Sequence, residues 1–369
     1  MKKRLLILNK MLKPDTGGVE EVVEQHRRIL ASRFEVTAWG AKSTEQSSSK
    51  ETERTEDDYG TQVRFRSFFQ VAALPVSISY IIEYFRRVRE FDIVELHLPF
   101  PIGALLCLLF PPKKLVIVWH SDLLRPAILK PLITGIDKRL IRSADTIICT
   151  SNNLLRNSDT ISGHLHKSTI VPIHSTPTEK SKRPSEIGES QAPFILFFGR
   201  LSYYKGIDVL ADAINLYDGK WRFVIAGKGD LSARLRTQLD RPNVLLLNRA
   251  ISEPEKSWLF ENCDALVFPS QHKTEAFGIV QLEAMSRSKP VINTALPTGV
   301  PEVARDGLEG LTINLQSPDE LATAFKKLEN SNLREKLGEN AQVRATSVYD
   351  ESVIGEQLLE AFIELDKPK

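Results

Sequence analysis

A chain of 369 residues is too long for one ordinary core and reads as two domains of similar size. A formal net charge of +2, with no Lys/Arg run interleaved with aromatics, argues against nucleic-acid binding. Cys107, Cys149 and Cys263 stand apart in apolar contexts, without a CxxC pair or a His at metal spacing, which suits buried thiols in a reducing cytoplasm.

Met1-Lys2-Lys3-Arg4 leads into Leu5-Leu6-Ile7-Leu8, an apolar run too short for a signal-peptide core, so residues 4–9 are predicted as the first strand. Then comes Lys13-Pro14-Asp15-Thr16-Gly17-Gly18-Val19-Glu20, a glycine pair opening a helix. Gly17 and Gly18 let a ligand approach the backbone where a helix N-terminus attracts negative charge, although a tight turn explains them equally well. The GxGxxG fingerprint is lacking and no acidic residue closes strand two, which argues against a dinucleotide-dependent dehydrogenase.

Val19, Val22, Val23, His26 and Ile29 recur at helical spacing, as do Ile78, Ile81, Ile82 and Phe85. Between and after these helices, strands are predicted over 34–39, 63–65, 92–96, 115–119 and 146–149, giving a βαβ pattern and a parallel sheet. Residues 43–58 are polar and read as an exposed loop. The segment from Ile78, with Arg86, Arg87 and Arg89 beside it, reads as a core helix with a solvated basic end or as an amphipathic helix docking on an anionic membrane. The longest apolar stretch, 101–110, falls short of the roughly 20 residues that span a bilayer.

Ligands of open parallel sheets bind beyond the carboxyl ends of strands, and three residues follow predicted strand ends here. His97 comes after 94–96, facing the expected cleft or packed near prolines; His120 and Asp122 close Val118-Trp119-His120-Ser121-Asp122. His120 is assigned to the sugar or phosphate of a ligand, and Asp122 to orienting the imidazole or binding an acceptor. Residues 1–175 are therefore the first domain, and the polar, proline-containing segment 176–192 is the linker.

The alternation restarts over 194–198, 222–226, 244–247, 265–268 and 290–293, so 193–345 is a second doubly wound domain. Phe198-Gly199-Arg200-Leu201-Ser202-Tyr203-Tyr204-Lys205-Gly206 puts two cations in one strand-to-helix loop, where Arg200 and Lys205 suit a diphosphate. Gly227 and Gly229, in Ile225-Ala226-Gly227-Lys228-Gly229-Asp230, suit close approach of a nucleotide.

The richest stretch is Pro269 to Met285, where Glu275 and Glu283 lie eight residues apart across a helix start. At 1.5 Å of rise per residue they stand roughly 12 Å apart, about the span from a donor's sugar ring to its ribose. Between them the amides of Phe277, Gly278 and Ile279 suit a phosphate. No DxD follows a strand and no cluster has metal-ligand spacing, so no obligatory metal or other cofactor is expected.

Taken together, GGVE, GRLSYYKG, IAGKGD and EAFGIVQLE, with Lys289-Pro290-Val291-Ile292 and Gly299-Val300-Pro301-Glu302, resemble the family-4 retaining glycosyltransferases of GT-B fold over nearly the whole chain. The resemblance implies two Rossmann-like domains facing across a cleft, with a final helix, about 346–369, crossing back to the first. It implies that Arg200 and Lys205 bind the donor diphosphate, Glu275 the sugar, Glu283 the ribose, and that Gly17, Gly18 and His120 meet the donor from the first domain. It also implies front-side attack without a protein nucleophile, in keeping with the lack of a carboxylate pair at glycosidase-like spacing.

Val118 to Leu123, followed by Ala144 to Ser151, is similar to bacterial O-antigen mannosyl- or rhamnosyltransferases, implying a GDP-sugar donor and a lipid-linked glycan acceptor at the inner face of the cytoplasmic membrane. Asn248-Arg249-Ala250-Ile251 departs from the pattern, since relatives carry a Gly before the base-contacting segment. The alternatives are a UDP-sugar donor, a non-catalytic partner in a polysaccharide assembly complex, and a sugar-nucleotide epimerase.

Overall fold

The computed structural model describes residues 2–15, 17–42, 52–71, 74–122, 130–174, 180–188 and 193–366. By internal contacts the chain divides into two units, Met1–Pro172 with Gly355–Lys369, and Ile173–Ile354.

The first unit runs β1 (Lys3–Leu8), α1 (Gly18–Leu30), β2 (Phe34–Ala41), β3 (Glu53–Asp57), β4 (Gly60–Phe65), a small ribbon of β5 (Phe69–Val71) and β6 (Leu74–Val76), α2 (Ile78–Arg87), β7 (Ile93–Leu98), α3 (Pro101–Leu109), β8 (Leu115–Trp119), α4 (Lys130–Ser143), β9 (Thr146–Cys149), α5 (Asn152–Asn157) and β10 (Ser168–Ile170). Its main sheet has the order β10-β9-β8-β7-β1-β2-β4-β3, parallel throughout except for the β3–β4 pair. β1 is covered on both faces, and Leu5 to Leu8 lose all exposure, which is why the strand is continuously apolar. From β1 the chain builds one half of the sheet through β2 and β4, then returns to β7 and builds the other. Order reverses between β1 and β7, so their following loops diverge and leave a crevice at the carboxyl ends.

Two expectations change in this unit. The polar stretch 43–58 is not wholly a loop, because Glu53–Asp57 forms β3, an exposed edge strand whose charged sequence hides its pairing. Residues 43–51 lie outside the described residues. On α2 the apolar stripe does not form the core face: Tyr80 and Tyr84 are buried, while Ile78, Ile82 and Phe85 are 52%, 43% and 40% exposed.

The second unit runs β11 (Phe194–Phe198), α6 (Ile207–Leu216), β12 (Arg222–Ala226), α7 (Ser232–Gln238), β13 (Val244–Leu247), α8 (Glu253–Asn262), β14 (Ala265–Val267), α9 (Ile279–Met285), β15 (Val291–Thr294), α10 (Val300–Val303), β16 (Gly310–Ile313), α11 (Pro318–Lys327) and α12 (Ser331–Ser347). All pairings in its sheet, β13-β12-β11-β14-β15-β16, are parallel, and order reverses between β11 and β14. The core joins Phe197, Phe223, Trp221 and Phe325 beneath α6 and α11.

Of the expected linker, residues 180–188 carry no helix or strand, and the Lys182 amide donates to the Pro254 carbonyl at 2.9 Å. Residues 176–179 and 189–192 lie outside the described residues. The last helix, α13 (Glu351–Ile363), starts in the second unit and enters the first at Gly355, where Phe362 packs on Phe34 with ring centroids 5.8 Å apart.

Candidate active site

In the second unit, the two loops that diverge at the β11/β14 reversal carry the main candidates. Gly206, at φ 71°, turns the first loop into α6, and a Cβ there would lie 1.9 Å from the Pro269 carbonyl oxygen of the second. That close approach brings the loops together, and the Lys205 ammonium donates to Glu275 at 2.5 Å. Lys205 also lies 5.0 Å from the centre of the Phe268 ring. The Glu275 backbone is held by Thr298, whose hydroxyl donates to its carbonyl at 2.8 Å, and the Gly299 amide donates to Ala276 at 2.7 Å.

Arg200 leaves the end of β11 exposed, and its side chain has no hydrogen bond or ion pair to a described residue. Its guanidinium is thus open to solvent, in the same β11-to-α6 loop as Lys205. Gly227 and Gly229 follow β12, but their missing side chains serve the protein itself. A Cβ on Gly227 would lie 1.9 Å from the Gly199 carbonyl oxygen, and one on Gly229 would lie 2.2 Å from that of Leu201. The strand-end loops pack on each other through these glycines.

Gly278, at φ 79°, caps α9 and packs against the Phe268 ring, where a Cβ would approach to 2.7 Å. Phe277 is buried on Tyr349, with centroids 5.9 Å apart, and Ile279 opens the helix. Gln281 braces this turn by donating to the carbonyls of Phe277 and Val300, while Asn293 donates to Gln281. Glu283 therefore sits inside α9 and Glu275 in the loop before it. Burial raises the Glu283 carboxyl, and Lys256 opposes that shift from 3.3 Å. Burial alone would lower Lys256, but Glu283 and Glu253 hold it above its ordinary value. Sequence reading missed Lys256, because a lone lysine on a polar helix carries no distinguishing pattern. Arg249, in the departing Asn248–Ile251 segment, is engaged by both Glu186 and Glu255.

In the first unit, Gly17 is the N-cap of α1 and Gly18 its first residue, both exposed, in the loop that leaves β1 at the sheet reversal. Thr16 lies outside the described residues. Burial raises the nearby Glu20 carboxyl.

His97 requires a correction. Strand β7 runs through Leu98, two residues beyond the predicted end, so His97 is neither in a loop nor open to solvent but fully buried within the strand. Its Nδ1 lies 2.9 Å from Nε2 of His120, just past β8, and its Nε2 lies 2.9 Å from Glu95 Oε1. Nδ1 of His26, on α1, reaches the same Glu95 oxygen at 2.5 Å. Asp122 does not orient the imidazole: it accepts from the Ser158 hydroxyl at 2.6 Å and the Asp159 amide at 3.1 Å, tying down the turn after α5. The orienting partner of His120 is His97. Sequence reading gave Glu95 and His26 no place in this cluster, although Glu95 and His97 are two apart in an otherwise apolar strand and His26 lies on the buried stripe of α1.

Each unit of the chain matches a known family model. Residues 16–173 match the model described as Glycosyltransferase Family 4, and residues 178–344 match Glycosyl transferases group 1. An O-antigen chain mannosyltransferase C of Escherichia coli is 28% identical, covering 98% of this chain and 97% of its own length. A D-rhamnosyltransferase of Pseudomonas aeruginosa is 29% identical over 92% of this chain and 90% of its own. Among solved structures, the Anabaena protein HepE in complex with UDP superposes with a TM-score of 0.76 at 20% identity, covering 98% of this chain and 100% of its own.

Proposed function

Because the chain belongs to the family-4 glycosyltransferases of GT-B fold, we propose that it transfers mannose or rhamnose from a GDP-linked donor to a lipid-linked glycan of a surface polysaccharide such as O-antigen. The carrying observation is the Lys205–Glu275 pair at the strand-order reversal of the second unit. An ammonium has three donors, so Lys205 can keep Glu275 positioned while it meets a diphosphate, with Arg200 supplying a second cation. Glu275 then orients sugar hydroxyls and Glu283 the ribose, while the α9 amides at Phe277, Gly278 and Ile279 face phosphate.

Transfer retains configuration and uses neither a metal nor a protein nucleophile. The bond from the anomeric carbon to the diphosphate oxygen breaks as the acceptor oxygen attacks from the same face, and the departing diphosphate takes the acceptor proton. Positive charge at Arg200 and Lys205 stabilises the leaving group more as that charge builds. Glu275, engaged by Lys205, serves better as an orienting group than as a nucleophile.

The protein acts at the inner face of the cytoplasmic membrane and reaches its acceptor through α2. Ile78, Ile82 and Phe85 are exposed beside Arg86 and Arg89, and Phe85 packs on the exposed Phe110 with centroids 4.1 Å apart. Among the described residues no helix is long and apolar enough to cross a membrane. Isothermal titration with GDP-mannose, GDP, UDP-glucose and UDP tests the donor: binding of the guanosine pair alone is expected. Preference for the uridine pair would replace the base assignment, and no binding of any of the four would remove the proposal.

A further inference from the structure

A buried polar chain runs through the interior of the first unit, from His26 through Glu95 and His97 to His120. Four polar groups are costly in an apolar interior unless they bond to one another, and here each ring reaches a neighbour in the chain through Glu95 Oε1 or His97 Nδ1, while Glu95 Oε2 has no partner among the described residues. We propose that His26, Glu95 and His97 form a tautomer lock that holds His120 neutral, protonated at Nε2, with a bare Nδ1 that accepts a hydroxyl hydrogen from the ligand.

The bonding order leaves one assignment. Burial would raise the Glu95 carboxyl, but His26 and His97 outweigh it and hold it at about 2, so it is an ionised acceptor. His26 must then donate from Nδ1 and His97 from Nε2. Burial depresses both His97 and His120 below the ordinary imidazole value, so both rings stay neutral near pH 7. A neutral His97 that donates from Nε2 has a lone pair on Nδ1 and accepts there. His120 must therefore donate from Nε2 across the 2.9 Å contact, leaving Nδ1 as an acceptor. Nδ1 makes no hydrogen bond to a described residue.

His26, Glu95 and His97 have the composition of a metal site, with ligand atoms all within 4.8 Å. Two contacts of 2.5 and 2.9 Å to one carboxylate oxygen are hydrogen-bond lengths. Ligands around tetrahedral zinc, with arms of roughly 2.0–2.1 Å, stand about 3.3 Å apart. The two contacts are therefore spaced as hydrogen bonds, as the lock requires.

The functional consequence rests on the reading of His120 as a donor-site residue. A neutral acceptor recognises a sugar hydroxyl and repels an ionised phosphate oxygen, so among the two ligand groups open to His120 the lock selects the sugar. His97 and Glu95 are positioning residues: they touch no ligand and act through His120.

The test is the nitrogen-15 NMR tautomer state of the seven histidines in the free full-length protein, with the His120 signals assigned by their loss in His120→Gln. His97 and His120 are expected as neutral rings protonated at Nε2, and His97→Gln is expected to release His120 into mixed tautomers and to lower kcat/KM roughly ten-fold. A His120 ring protonated at Nδ1 or charged in the wild-type spectrum at neutral pH, or one equivalent of tightly held zinc, overturns the lock whether or not the variant folds. The spectrum needs no substrate, so a locked ring in a protein that transfers no sugar would sink the proposed function and leave the lock standing.

Discussion

Lys205 and Glu275 carry unequal shares of the same contact. Removing the carboxylate in Glu275→Ala leaves Lys205 for the diphosphate, so turnover should fall about 100-fold while nucleotide affinity and melting temperature stay near normal. Lys205→Ala should weaken nucleotide binding as well, and near-normal turnover in either variant would make the pair structural. Asp137, buried on α4, is of another kind: burial, then the charge of Asp122, pushes its carboxyl up to about 7. A raised folded value means that its contribution to stability is full below about pH 4 and is lost as pH rises through about 7. Asp137→Asn should therefore gain roughly 1–3 kcal/mol over wild type at pH 8 and little at pH 5. Denaturant unfolding at both values checks this, and equal differences would contradict it. At this scale the sequence marks residues that follow strand ends, such as Lys205 and Glu275, because glycines and charge interrupt an apolar alternation there. It does not mark Glu95 or His26, whose meaning arises only when β7 and α1 pack.

The elements that carry these residues owe their placement to backbone clearance. At Gly227 the φ of 141° and the nearby Gly199 carbonyl leave no space for a methyl, so Gly227→Ala should cost about 3 kcal/mol. Equilibrium unfolding measures it, and a loss below 1 kcal/mol would show the loops to be pliant. Periodicity located α2 but not its buried face, since tyrosines at 80 and 84 pack inward while the aliphatic stripe stays outside. Hydropathy alone ranks those faces the other way. Phe85→Ser and Arg86→Ser should each reduce sedimentation with phosphatidylglycerol vesicles several-fold without lowering the melting temperature. Unchanged sedimentation would remove α2 from membrane contact. Edge strand β3 escaped notice for a related reason: a solvated, charged strand has no apolar alternation to read.

The whole molecule was legible in outline because parallel strands buried on both faces announce themselves as short apolar runs between helices. Two such series give two Rossmann-like units, and strand order then fixes where each unit can hold a ligand: after β1 and β7 in one, after β11 and β14 in the other. Only topology shows that Lys205 and Glu275, 70 residues apart, are neighbours. In the proposed mechanism the protein supplies positioning and charge, and the transfer of sugar itself is the step to test. The most direct measurement is incubation of the purified protein with labelled GDP-mannose or GDP-rhamnose and a lipid-linked oligosaccharide, followed by NMR of the product. Labelled sugar should reach the lipid-linked glycan with its anomeric configuration retained and without added metal. Nucleotide binding with no transfer to any glycan, or a product of inverted configuration, would contradict the account.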